Sequence, residues 1–126
     1  MKIESLVTTG IISRPPRVIL YGVEGIGKSS FGASAYKPVI IPTEDGLNEI
    51  AAPKFPKVES FDELMEDLRL IYTEDHEYKT LVIDTVDWLE PLIWAHTCAV
   101  HGKNHPEDFG YGTGYKFAMD DWKKLL

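Results

Sequence analysis

A chain of 126 residues has the size of one domain, and its 44% hydrophobic and 26% charged content is typical of a globular protein. The net charge of −7 argues against a surface that is basic all over, as in many nucleic-acid-binding proteins, but it still allows a local basic groove. Cys98 is the only cysteine, and the sequence has neither a signal-peptide pattern nor an apolar stretch of membrane-spanning length. We therefore expect a cytoplasmic protein without membrane association.

The first half of the chain predicts two strands around a helix. After a lead-in over residues 1–16, a short apolar run at 17–21 predicts a buried strand, and a glycine-rich turn leads into a helix at 28–36. A second buried strand is predicted at 38–41, and prolines mark 51–56 as a loop or a sheet edge.

The second half predicts one more strand and three helices. Ser60 and Glu63 form a capping-box pair at the start of a helix over 60–72, and a third buried strand at 80–83 ends at Asp84. Apolar stripes predict helices at 89–100 and 117–126, separated by a long loop at 101–114. This alternation of strands and helices predicts an α/β fold.

The turn after the first strand matches the phosphate-binding pattern G-x-x-x-x-G-K-[ST] in full. The glycines let successive backbone N–H groups point at one anion, and the following helix adds its positive N-terminal end. Lys28 would place a charge on the β- and γ-phosphates of ATP, and Ser29 would offer a hydroxyl to Mg²⁺. The predicted ATP site consists of Gly22, Val23, Glu24, Gly25, Ile26, Gly27, Lys28, Ser29 and Ser30.

Two acidic elements follow strands. Asp84 ends four strand residues, as in the Walker B pattern, and would meet Mg²⁺; the alternative is an N-cap of the next helix. Glu44 and Asp45 follow the second strand, where a carboxylate could activate the attacking water. The alternative is a solvated acidic turn built on Asp45 and Gly46.

Together these elements resemble the RecA-like P-loop ATPases, and more narrowly the bacteriophage AAA-type, RecA-like nucleotide-binding proteins. The similar segments are residues 16–22, 28–32, 43–47 and 108–115. Some members of that group are single-strand-annealing recombinases. The resemblance implies a three-layer sandwich with a mostly parallel sheet, catalytic roles for Glu44 and Lys28, and ATP bound at the interface of a homo-oligomer. It also implies a phage origin, in the host cytoplasm, and a role in DNA recombination or replication.

In RecA-like domains a strand with a polar sensor residue lies between the P-loop strand and the Walker B strand. No such strand follows Asp84 in this sequence. We therefore expect residues 1–126 to be the N-terminal portion of one P-loop NTPase domain, truncated after the Walker B strand and the helices that follow it.

Two further clusters have a functional and a structural interpretation. His96, Cys98, His101 and His105 fall within ten residues, which suggests either zinc ligands or packing at a helix end. Tyr111, Tyr115 and Lys116 lie in or next to a glycine-rich loop; they either contact single-stranded DNA or order the surface.

Two other functions stay open at this point. A small P-loop phosphotransferase would need lid arginines, and this chain has only Arg14, Arg17 and Arg69, none of them in a lid-like position. The other alternative is a nucleotide-gated interaction module that does not hydrolyse ATP.

Overall fold

A computed structural model describes residues 2–11 and 13–126, apart from the side chain of Tyr111. The described chain is a mixture of helices and strands, as the alternating pattern predicts. Three short 3₁₀ turns lie at Ile3–Ser5, Pro106–Asp108 and Gly110–Gly112. The main elements are α1 (Lys28–Ala33), β1 (Pro38–Pro42), α2 (Phe61–Thr73), β2 (Thr80–Asp84), α3 (Val86–Val100) and α4 (Thr113–Leu125).

The sheet is built from β1 and β2, which pair in parallel from Pro38 opposite Thr80 to Pro42 opposite Asp84. Both strands therefore end at the same edge. The β-branched residues of β1 suit a strand that is covered on both faces, and Ile40 and Ile41 are completely buried. The proline-marked segment forms an edge, as predicted, because the backbone of Ile40 bonds to Pro53 O and Phe55 N, both at 2.9 Å.

The predicted strand at residues 17–21 is wrong. This segment has no regular secondary structure, and Val18 and Ile19 are 75% and 86% exposed. An apolar run becomes a strand only when a neighbouring strand supplies hydrogen bonds. In the described part of the chain β2 pairs with β1 alone, so residues 17–21 have no ladder to join.

Helices α2, α3 and α4 form the core with Ile41 of β1 and Ile83 of β2, and α3 packs against both α2 and α4. The Ser60 side chain caps α2 by accepting a hydrogen bond from Glu63 N at 3.1 Å, as the capping pair predicts. The completely buried members of this core are Ile41, Leu64, Leu89 and Ile93.

Three helix boundaries differ from the prediction. Helix α1 ends at Ala33 rather than at residue 36, and α3 begins at Val86 rather than at 89. Helix α4 begins at Thr113 inside the predicted loop, because Gly112 takes the left-handed conformation before it (φ 73°). Gly114 lets the ring of Phe109 pack on the first turn of α4, where an added Cβ would lie 2.8 Å from the ring.

A buried carboxylate joins α3 to α4. The Thr97 hydroxyl donates to Asp121 Oδ2 at 2.5 Å, and Lys124 Nζ lies 3.3 Å from Asp121 Oδ1. His96 Nε2 lies 3.8 Å from the same oxygen, while its ring stacks on Phe61 of α2. Burial alone would raise the pKa of Asp121, but the Thr97 and Lys124 hydrogen bonds and the nearby His96 lower it below 3.8.

The substitution Asp121→Asn is therefore expected to lower the free energy of unfolding at pH 7 by about 1–2 kcal/mol. Because the folded-state pKa is depressed, the carboxylate contributes stability above pH 3.8 and loses it as the pH falls through the folded value. Urea melts of both proteins at pH values from about 2.5 to 7 should show that the difference in the free energy of unfolding shrinks as the pH falls. Asp120→Asn, at the exposed neighbouring position, is the matched control; an equal effect there would contradict the assignment.

Among the described residues, no helix combines the length and the apolar character that crossing a membrane requires.

Candidate functional site

The glycine-rich turn curls at the end of the sheet where β1 and β2 finish. Gly25 and Gly27 have φ angles of 79° and 102°, which side-chain-bearing residues rarely adopt. The turn leads into α1, which packs closely on β2: a Cβ added to Gly32 would lie 3.0 Å from Val82 Cγ1. Glycine at these positions thus serves both the shape of the turn and its approach to the sheet.

The Lys28 side chain folds back across the turn. Its ammonium donates to Gly22 O at 2.6 Å and to Val23 O at 2.9 Å. An ammonium has three N–H donors, so these two bonds hold Lys28 in place and leave one donor for an anion. Gly22 and Val23 thus contribute to the site through their carbonyl groups, while the Ile26 side chain is exposed outside the cavity.

Ser29 and Asp84 meet at the cavity. The Ser29 hydroxyl donates to Asp84 Oδ2 at 2.5 Å, which joins the first turn of α1 to the end of β2. The alternative interpretation of Asp84 as a helix cap is wrong, because the N-cap of α3 is Thr85. A hydroxyl and a carboxylate side by side are the hard oxygen ligands that Mg²⁺ takes together with phosphate oxygens, so these two residues fit that ion.

The structure separates Glu44 from Asp45. Glu44 is partly buried and lines the cavity with the P-loop and Asp84. Asp45 points elsewhere: its side chain is 88% exposed and lies 3.4 Å from Lys57 Nζ. Lys57 accordingly has a pKa above its usual 10.5, mainly because of Asp45 and then Glu59.

Two threonines that sequence analysis did not single out fix the ends of the strands. The Thr43 hydroxyl accepts from Thr85 N at 2.7 Å and donates to Thr85 O at 2.6 Å. Thr43 N also donates to Asp84 O at 2.8 Å. This threonine clamp, Thr43 with Thr85, sets the distance between Glu44 and Asp84. The sequence feature that could have predicted this contact is a threonine directly after each of the two parallel strands.

The cavity enclosed by these elements has a volume of about 350 Å³, in the range of small-molecule sites. It brings together three chain segments that are far apart in sequence. Its lining residues are Glu24, Gly25, Gly27, Lys28, Ser29, Ser30, Glu44, Asp84 and Thr85.

The residues of the glycine–tyrosine loop lie away from this cavity. Tyr115 is 71% exposed and contacts Trp94 edge-on, with ring centroids 5.3 Å apart, and Lys116 is exposed. The side chain of Tyr111 lies outside the part that the structure describes. Phe109 is buried against His101 and Phe117 and anchors the loop to the helices.

The histidine–cysteine cluster is spread over different surroundings. His96 packs on Phe61, Cys98 is buried, and the His101 ring lies 4.0 Å from the Phe117 ring, whereas His105 is exposed. In residues 2–11 and 13–126, no three His, Cys, Asp or Glu side chains form a group that could hold a metal. The Ser29–Asp84 pair has one carboxylate, so a Mg²⁺ ion there would need phosphate oxygens as further ligands.

A glycine-rich turn that leads into a helix, a lysine tethered across it and a serine–aspartate pair beside it are the features of a P-loop nucleotide-binding protein. The model of a family described as "AAA domain" matches residues 14–126. The chain belongs to this AAA-domain family.

A relative from a prophage is similar over most of the chain. The SPbeta prophage-derived uncharacterized protein YorG of Bacillus subtilis (strain 168) is 24% identical over 115 residues, which cover 86% of this chain and 35% of YorG. The chain therefore spans about a third of the length of that relative. No solved structure matches the chain.

Proposed function

We propose that this protein is a Mg²⁺-dependent ATPase of a RecA-like kind that acts on phage DNA. The observation that carries the proposal is the convergence of Lys28, Ser29, Asp84 and Glu44 on one cavity. Each has the chemistry that phosphoryl transfer to water requires, since positioning and charge stabilisation supply most of the catalysis.

The four side chains would divide the work. Lys28 donates its remaining N–H to the β- and γ-phosphates, and the backbone N–H groups of residues 24–30 surround the phosphate oxygens. Ser29 and Asp84 hold Mg²⁺, which neutralises phosphate charge when bound. Glu44, across the cavity, orients the attacking water and accepts its proton.

The described residues offer little to the kinase alternative. On α2, Arg69 is engaged by Glu66 at 2.6 Å, so this arginine is not free to serve a kinase lid.

The assignment to phage DNA recombination or replication rests on the prophage relative and on the family resemblance. In this proposal the protein works in the host cytoplasm, as a homo-oligomer with ATP between subunits. Single-stranded DNA contacts the loop region through Tyr111, Tyr115 and Lys116, of which Tyr115 offers an exposed ring for stacking on a base.

The direct test is the calorimetric titration of the protein with ATP in the presence and absence of Mg²⁺. We expect one site per chain, with tighter binding when Mg²⁺ is present. The protein should then release phosphate from ATP, and faster when single-stranded DNA is added. A protein that binds neither ATP nor ADP would refute the proposal, whereas transfer of phosphate to a small acceptor would favour the kinase alternative.

The substitution Asp84→Asn is expected to reduce the benefit of Mg²⁺. It keeps the shape of the side chain but removes the charge that holds the cation, so the ratio of ATP affinities with and without Mg²⁺ should fall by about tenfold. Asp87→Asn is a matched control, because Asp87 lies exposed on the first turn of α3 and outside the cavity lining. An unchanged ratio in Asp84→Asn would remove Asp84 from the metal site.

A further inference from the structure

One side-chain oxygen at the site has no hydrogen-bond partner among the residues that the structure describes. The Thr85 hydroxyl oxygen is buried and makes no hydrogen bond with any described residue, although Thr85 lines the cavity. Leaving a buried hydroxyl unpaired costs free energy, and native structures rarely tolerate it without a reason such as a bound ligand or water.

The usual structural use of this hydroxyl is not realised. Thr85 is the N-cap of α3, where a threonine side chain commonly accepts a hydrogen bond from the first turn of the helix. Here the side chain makes no capping bond. Its backbone, in contrast, is fixed on both sides by the Thr43 hydroxyl, so the position of the residue is set while its own hydroxyl is left unused.

The surroundings indicate what would bind there. In the proposed function the P-loop and Lys28 bind the phosphate groups, and Asp84 binds the metal ion. Thr85 follows Asp84 directly and is bonded to Thr43, the residue before Glu44. In the proposed function the terminal phosphate of a triphosphate would lie between the metal at Asp84 and the water at Glu44, and Thr85 is joined to both residues, by the chain and through Thr43. A diphosphate has no phosphate at that point.

We infer that Thr85 is a γ-phosphate-binding residue: its hydroxyl donates to an oxygen of the terminal phosphate and thereby distinguishes ATP from ADP. This inference rests on the proposed function and adds to it the residue that reads the third phosphate. The unpaired hydroxyl in the ligand-free fold is then the counterpart of a hydrogen bond that forms with the triphosphate.

The test is Thr85→Val, which keeps the shape of the side chain and removes the hydroxyl. We expect binding of Mg²⁺ with a non-hydrolysable ATP analogue to weaken by about tenfold, the size of one hydrogen bond to a charged group, with Mg·ADP affinity unchanged within about twofold. The melting temperature without nucleotide should stay the same or rise, because the variant no longer buries an unpaired hydroxyl. Thr85→Ser should restore the preference for the triphosphate.

Thr80→Val is the matched control at the other end of β2. Its hydroxyl donates to Tyr36 O at 2.6 Å, so its loss should lower the melting temperature and leave both affinities alone. Equal affinity of wild type and Thr85→Val for the ATP analogue, or an equal loss for both nucleotides, would overturn the inference. Should the valine variant fail to fold, Thr85→Ala tests the same loss. Failure of the wild type to bind any nucleotide would overturn the proposed function together with this inference.

Discussion

Replacing Lys28 with alanine is expected to weaken Mg·ATP binding by on the order of 100-fold, or about 2–3 kcal/mol. The ammonium is held by Gly22 O and Val23 O, Lys28 lines the cavity, and one N–H donor is left for a phosphate oxygen. A charge-assisted bond of this kind is among the strong ones, and water cannot replace it in the same position. Isothermal titration calorimetry with Mg²⁺ and ATP measures the change directly.

Two further variants show whether the loss of ATP affinity in Lys28→Ala comes from the missing charge at this position. Lys123→Ala removes an exposed lysine from α4 and should leave ATP affinity unchanged. Lys28→Met keeps the aliphatic stem and should bind as weakly as the alanine variant, because the charge is the lost component. Wild-type affinity in both Lys28 variants would mean that ATP binds elsewhere in the protein.

Replacing Glu44 with glutamine is expected to slow ATP turnover by about 10²–10⁴-fold and to leave ATP affinity within about twofold of wild type. The amide keeps the size of the side chain but cannot accept the proton of the attacking water. Phosphate release by the protein, measured beside calorimetric binding, separates the effect on turnover from the effect on affinity.

Asp45→Asn is the control for this experiment, because Asp45 is the adjacent carboxylate and faces Lys57 rather than the cavity. We expect it to retain turnover and to lower the pKa of Lys57, which loses its main anionic neighbour. A turnover defect in Asp45→Asn with normal turnover in Glu44→Gln would exchange the roles of the two residues.

Features that depend on a few neighbouring residues could be predicted from the sequence. The P-loop follows from glycine, lysine and serine at fixed spacing, and the start of α2 follows from Ser60 and Glu63. The strands β1 and β2 follow from runs of apolar and β-branched residues, but only β1 is buried as predicted, since Leu81 of β2 is 41% exposed. For the P-loop and the start of α2, the interactions that decide the structure lie within the segment itself, so the local pattern contains the information.

Features that depend on residues distant in the sequence could not be predicted in this way. Residues 17–21 have the composition of a strand, but a strand also requires a neighbour, and composition does not reveal whether one is present. The different surroundings of Glu44, which lines the cavity, and of Asp45, which lies 3.4 Å from Lys57 Nζ, depend on how the chain after β1 folds. The threonine clamp depended on the register that places Pro42 opposite Asp84 and hence Thr43 opposite Thr85.

Because Ser29 and Asp84 are in contact, nucleotide binding at the proposed site would change the stability of the domain. At the cavity this hydrogen bond joins the P-loop to the sheet, and in the proposed site the same two oxygens would bind Mg²⁺. A bound Mg·nucleotide would replace the Ser29–Asp84 hydrogen bond with contacts of both residues to the ligand. Its binding free energy would add to the free energy of unfolding. Backbone amides of residues 22–30 should therefore exchange with deuterium more slowly when nucleotide is bound, while those of α2 and α4 keep their rates.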